Sequence, residues 1–196
     1  MTTTNFEKHQ SQNPIQRLMI GNFEKSQIKI LAKNKYNTVL DVGCGEGFGM
    51  NLLRQNAIGK NWLGVDVVDE ALKLGKKQFP DLKMQKASAY KLPFKDGLFD
   101  LVMSTEMLEH LEDPKKALSE MKRVTKKYLF LSVPHEPWFQ LTNLARGKYL
   151  KALGNHPEHV NHWSVKNFKK LIVRAGLKIV VTATPYPWIQ VLASKK

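Results

Sequence analysis

Cysteine is nearly missing from this sequence of 196 residues. Cys44 stands alone, which excludes an internal disulfide framework and a zinc site built from several thiolates. No stretch approaches the ~20 consecutive apolar residues that a membrane-spanning helix needs. The polar N-terminus, Met1 to Gln12, lacks the apolar segment of a secretory signal, so a cytoplasmic protein is expected. Arginine is scarce as well: five arginines leave 26 lysines among the 31 basic residues. The net charge of +14 therefore comes with little of the planar, bidentate chemistry that reads phosphates and bases. The lysines are also scattered, in short pairs such as Lys76-Lys77, Lys115-Lys116 and Lys126-Lys127. A solvated Lys-rich surface is the simpler reading, and a nucleic-acid surface is the alternative.

What remains is an ordinary globular composition, with 42% hydrophobic and 24% charged residues and no internal repeat, in a length that suits one domain. Pro14 opens an amphipathic helix to about residue 33, with Ile15, Leu18, Met19, Phe23, Ile28 and Leu31 at near-helical spacing. Short apolar runs predict strands at Thr38 to Val42, Trp62 to Val67, Leu82 to Lys86, Phe99 to Met103, Tyr128 to Val133, Leu177 to Thr182 and Trp188 to Ala193. Helices are expected over Glu46 to Gln55, over Asp69 to Gln78 with Asp69 as N-cap, over Pro114 to Arg123 behind Asp113, and from Ser164 to Ala175 with Gly176 ending it. Such alternation predicts an α/β protein, a Rossmann-like, mostly parallel seven-stranded sheet with helices on both faces. The last two strands, joined by a short Pro-containing loop, are expected to pair antiparallel. Residues 134–163 interrupt the alternation as an irregular insertion.

The sharpest local feature is Val39-Leu40-Asp41-Val42-Gly43-Cys44-Gly45-Glu46-Gly47-Phe48-Gly49, a buried strand running into alternate glycines and then a helix. In a doubly wound sheet this first strand-to-helix turn is where a nucleotide sits. Asp66 ends the next strand, 25 positions beyond Asp41, placed to accept ribose hydroxyls. The dinucleotide pattern G-x-G-x-x-G fails in every register, because its third glycine would fall on Phe48, Met50 or Leu52. No Gly-Lys-Ser/Thr follows, so the P-loop pattern fails too, and Glu46 at the helix start would oppose a pyrophosphate. A nucleoside ligand without phosphates fits better.

With Leu63-Gly64-Val65-Asp66, Leu92-Pro93-Phe94, Phe99-Asp100-Leu101-Val102 and Glu106-Met107-Leu108-Glu109-His110-Leu111 following in order, the chain from about Pro14 onward resembles the class I S-adenosylmethionine-dependent methyltransferases. It is most similar to the branch of ubiquinone and menaquinone biosynthesis. The resemblance implies that Asp41 and Gly43 bind the methionine part of S-adenosylmethionine and that Gly45 lines it. It implies that Asp66 takes the ribose hydroxyls and Val67 packs on the adenine. The acid usual before Leu-Pro-Phe, which accepts the adenine amine, is here Ser88, flanked by Ala87 and Ala89; Ser88 and Ala89 are the expected adenine contacts. Thr105 and Glu106 are expected beside the reactive methyl. S-adenosylhomocysteine would be the product, and Cys44 would pack in the loop without acting as a nucleophile.

The acceptor side is less readable. His135, His156, His159 and His162 all fall in the insertion, the last three as H-x-x-H-x-x-H, with Glu158 nearby. Loop hydrogen bonding, a lid or substrate wall, and a metal site are all open for them, and Pro157 breaks any helix that would align the three. No metal is assigned. His-x-x-His-Trp-Ser also resembles a segment common in this branch, which favours an architectural role for at least one histidine. Trp138, Phe139, Tyr149 and Trp163 would give the wall aromatic surface. His110, after the fourth strand, is either a base or a structural contact, and His110, His135 and His162 are the candidate catalytic residues. Methyl transfer to a small molecule is the expected function. The alternatives are an RNA methyltransferase using the basic surface and a non-catalytic cofactor-binding protein.

Overall fold

The computed structural model describes residues 11–147 and 149–195; the polar stretch before Ser11 lies outside the described residues. Helix α1 (Pro14–Leu31) begins at a proline, with the Asn13 side chain accepting the Gln16 amide as its cap. The chain then alternates: β1 (Thr38–Val42), α2 (Phe48–Gln55), β2 (Asn61–Asp66), α3 (Asp69–Gln78), β3 (Met84–Lys86), β4 (Phe99–Thr105), α4 (Pro114–Val124) and β5 (Thr125–Pro134). Helix α5 (Trp138–Ala145) follows, then α6 (Val165–Arg174), β6 (Leu177–Ala183) and β7 (Trp188–Lys195).

The strands form one seven-stranded sheet in the order β3-β2-β1-β4-β5-β7-β6. Strands β1 to β5 pair parallel, and β7 runs antiparallel between β5 and β6. Alternate residues of each strand serve opposite faces, as a pleat with period two requires. Leu40, Val102 and Leu131 join Leu118 and Met121 of α4 and Phe168 of α6 on one side. Val39, Leu101 and Phe130 join Leu31 of α1, Leu53 of α2 and Leu72 of α3 on the other. Both faces are thus covered, and the near-continuous apolar strands follow from that double burial.

From β1 the chain builds outward to β3, then crosses back to place β4 on the other side of β1. This reversal opens a crevice at the carboxyl ends of β1 and β4, the usual ligand position in open α/β sheets.

Several local expectations need correction. Helix α2 starts at Phe48 and not at Glu46, because Gly47 has φ +84, a left-handed conformation that no α-helix contains. Asp69 is the first residue of α3 and does not cap it; Val68 occupies the cap, and the Asp69 carboxylate is drawn to Lys86 at 2.5 Å. The insertion is not wholly irregular, since it contains α5 and a short 3₁₀ turn at Leu150–Ala152. Asp113 and Ser164 cap α4 and α6 as expected, accepting the amides of Lys116 and Asn167. No described helix is long and apolar enough to cross a membrane.

Candidate active site

The glycine loop is fastened to β2 by the protein's own backbone. The amides of Gly43 and Cys44 both donate to the Val65 carbonyl, at 2.8 and 3.1 Å. Gly43 has φ +78, and a Cβ there would meet the Met107 sulfur at 2.7 Å, so only glycine lets the chain turn this closely under the segment that follows β4. Asp66 accepts the Gly45 amide on Oδ2 and the Val68 amide on Oδ1, each at 2.9 Å. Each carboxylate oxygen has a second lone pair, so an oriented Asp66 still has capacity for two hydroxyls.

Asp41 lies at the floor of this loop, 2% exposed, with Oδ1 buried and lacking a hydrogen-bond partner. Burial, and then the charge of Asp66, push its carboxyl up to about 7. Such an acceptor is costly unless something donates to it. Burial also raises the Cys44 thiol, with Asp41 and Asp66 adding to the effect, so the thiol stays protonated. Cys44 is packing, as its position in the sequence suggests.

The cavity above these groups has a volume of about 690 Å³. Asp41, Gly43, Gly45, Asp66, Thr105, Glu106 and His110 all line it. Glu106 is held at φ +53, its amide on the Ser132 carbonyl at 3.1 Å and its carboxylate receiving the indole N–H of Trp188. A non-glycine residue in that conformation carries strain, which clusters where a side chain must be aimed.

The remaining predicted residues fall elsewhere. Val67 is 55% exposed and Ala89 is buried in the core, neither on the cavity wall. Ser88 is also off the wall, its hydroxyl accepting the Tyr90 amide at 3.2 Å. The residues that do line the cavity beside Asp66 are Val68 and Ala71, with Phe48 and Leu52 from α2. Their signal in the sequence is weak: one apolar residue shifted by one position, and a helix face.

The second half of the cavity is made by α1, through Met19, Ile20 and Phe23, and by the insertion, through Phe139, Thr142, Asn143 and Tyr149. Of the four aromatics expected in the wall, Phe139 and Tyr149 are there; Trp138 is half exposed off the wall and Trp163 packs on Phe168 at 5.7 Å. His135 and His162 do not line the cavity. The His135 amide bonds the Pro187 carbonyl, and His162 lies 3.7 Å from Glu136. The three histidines of H-x-x-H-x-x-H therefore do not converge. His156 and His159 stack, with ring centres 4.7 Å apart, and the third ring beside them is His110, 4.9 Å from His159. Burial, followed by His110 and His156, holds His159 down to about 3, so it is neutral at physiological pH.

Comparison with known proteins agrees with this geometry. A family model described as a methyltransferase domain matches residues 40–131. An uncharacterised methyltransferase of Schizosaccharomyces pombe is 39% identical over 103 residues, covering 47% of this chain and 37% of that protein. A demethylmenaquinone methyltransferase of Renibacterium salmoninarum is 39% identical over 88 residues, covering 45% and 36%. The chain thus spans little more than a third of the length of the curated relatives it matches. Among solved structures, magnesium protoporphyrin IX methyltransferase from Synechocystis, with bound S-adenosylhomocysteine, superposes with a TM-score of 0.73 at 17% identity, over 99% of this chain and 95% of that one.

Proposed function

We propose that the chain, which a methyltransferase-domain family model matches over residues 40–131, is a class I S-adenosylmethionine-dependent methyltransferase that transfers a methyl group to a small-molecule acceptor held between α1 and the insertion. The observation that carries this reading is the pairing, in one cavity, of a buried unpartnered Asp41 oxygen with an Asp66 carboxylate oriented by two amides.

These residues fit the cofactor. A cationic amine satisfies Asp41 and favours its ionised form, and two vicinal hydroxyls match the oriented oxygens of Asp66. S-adenosylmethionine supplies a methyl carbon on a sulfonium: the acceptor–carbon bond forms as the carbon–sulfur bond breaks, leaving neutral S-adenosylhomocysteine and, from an acceptor that bears hydrogen, a proton.

The protein's part is then mainly positioning, which can supply much of the acceleration of a displacement. Gly43 and Gly45 let the backbone approach closely. Glu106, fixed by Trp188 and its own backbone, and Thr105 stand at the end of β4 facing the cavity. His110 stands on the acceptor side of the same wall.

A small acceptor is supported by the size and lining of the cavity. About 690 Å³ falls within the roughly 300–1,000 Å³ of small-ligand sites. Among the described residues, Arg146 is the one lysine or arginine on its wall, which suits an RNA strand poorly.

The test is release of S-adenosylhomocysteine from S-adenosylmethionine, measured against a panel of small hydroxyl, amine and carbon-acid acceptors and against total RNA. Turnover with at least one small acceptor and none with RNA is expected. Turnover with RNA alone would overturn the small-molecule reading.

A further inference from the structure

Positioning of the donor leaves a cluster in the same cavity unexplained. Glu109 and His110 lie in the 3₁₀ turn Leu108–His110 after β4, and His159 arrives from the insertion. Each offers one ligand atom, and these atoms lie within 4.8 Å of one another, the one such group among the described residues. All three residues line the cavity. Glu109 is 1% exposed, which is an unusual place for a carboxylate that merely faces solvent.

The cluster is built, not incidental. The amides of Val160 and Asn161 both donate to the Glu109 carbonyl, at 2.9 and 3.0 Å. The Asn161 side-chain amide donates to the carbonyls of Leu108 and Leu111. Two segments 50 positions apart are thereby clamped with His159 facing His110. The tautomer of His110 follows from its partner: Nδ1 lies 3.1 Å from the Glu158 carbonyl, which only accepts, so Nδ1 carries the proton and Nε2 the lone pair. Anchoring one ring nitrogen on a carbonyl is how metal-bound imidazoles are oriented. His159 Nδ1, in turn, is buried without a hydrogen-bond partner.

We infer that Glu109, His110 and His159 bind a divalent transition-metal ion on the acceptor side of the cavity. Two imidazoles and one carboxylate suit zinc, manganese, iron or cobalt, whereas calcium and magnesium take oxygen donors. Three protein ligands leave coordination positions open toward the cavity. An ion there depresses the pKa of a hydroxyl it holds, so an oxygen acceptor becomes a nucleophile without a protein base. This last role rests on the methyl-transfer reading; the binding of the ion does not.

The experiment uses the full chain without a polyhistidine tag, stripped by chelation and dialysed. Cobalt(II) is titrated and read by its visible absorption, zinc(II) is then used to displace it, and S-adenosylhomocysteine binding is measured separately by calorimetry. One equivalent of cobalt is expected, and His159→Ala and Glu109→Gln are each expected to weaken it at least about tenfold while S-adenosylhomocysteine affinity stays within about twofold. Exposed His110→Ala gives the same reading if the buried Glu109 variant does not fold. No saturable cobalt spectrum, or cobalt affinity unchanged in His159→Ala and His110→Ala, overturns the metal site. Cobalt binding without S-adenosylhomocysteine binding upholds the metal site and overturns the methyl-transfer reading instead.

Discussion

Asp66 accepts the backbone amide of Gly45 at 2.9 Å, so the end of β2 holds the glycine loop that follows β1. The carboxylate therefore braces the loop and also faces the cavity. Asp66→Ala is expected to weaken S-adenosylhomocysteine binding at least about 100-fold, since each lost hydrogen bond to a charged acceptor is worth about 1.5–3 kcal/mol. Isothermal calorimetry checks it, and affinity retained within threefold would remove Asp66 from the cofactor site.

Asp41 gives the free protein a distinctive pH response. Its carboxyl holds a proton up to about pH 7 when folded, whereas an unfolded chain releases it near pH ~4. Between those values the folded state binds more protons, so stability falls as pH rises through this window and levels off above it. Asp41→Asn is expected to remove that fall, seen as urea midpoints that vary less between pH 5 and 8. Binding of a cationic amine ionises Asp41, so S-adenosylhomocysteine binding at pH 6 should release protons, measurable as a dependence of the binding heat on the buffer. An unchanged pH profile in the variant and no proton release would contradict this role.

Two glycines of the same loop region should respond in opposite directions. Gly43→Ala places a Cβ at φ +78 against Met107 and is expected to cost ~1–2 kcal/mol in backbone strain alone. Gly49, within α2, has nothing within 4 Å of an added Cβ, and Gly49→Ala is expected to stabilise by ~0.5–1 kcal/mol. Thermal melts of the two variants decide it; a Gly43→Ala protein as stable as the parent would show the turn to be dispensable.

The three candidate catalytic histidines separate by position. His110→Ala, at the cavity, is expected to lower kcat at least about tenfold with S-adenosylhomocysteine affinity nearly unchanged, within the range typical of positioned acid–base groups and ligands. His135→Ala and His162→Ala, off the cavity wall, should lower turnover by less than about threefold, a change small enough to come from loop placement. A tenfold loss of kcat in either would return that ring to the chemistry.

The half of the cavity built on β1 and β2 was legible because its parts lie close in the chain. β1, the glycines and Asp66 fall within one strand–helix–strand unit, where buried runs and glycine spacing have direct geometric meaning. The half walled by the insertion was not. Helix α5 is eight residues long, has no side-chain cap and buries only Asn143, so neither a start signal nor an apolar stripe announces it. The H-x-x-H-x-x-H spacing suggested one set of three rings, yet the chain turns at Pro157 and sends His162 toward Glu136. The partner that replaces it, His110, lies 49 positions before His159, and pairing over that distance leaves no local pattern. Asp69 misled for a different reason: a good capping residue one position late found a stronger attraction in Lys86.

The insertion leaves and rejoins the sheet at nearly one point, because the Glu136 amide donates to the Trp163 carbonyl at 2.9 Å. An excursion closed at its neck can be exchanged at the cost of its few ties to the frame, such as the bonds of Val160 and Asn161 to the turn after β4. Residues 137–162 can therefore be grafted as a cassette between proteins of this architecture, with Asp41 and Asp66 staying behind on β1 and β2. New acceptor preferences would then arise by replacing one loop, not by redesigning a fold.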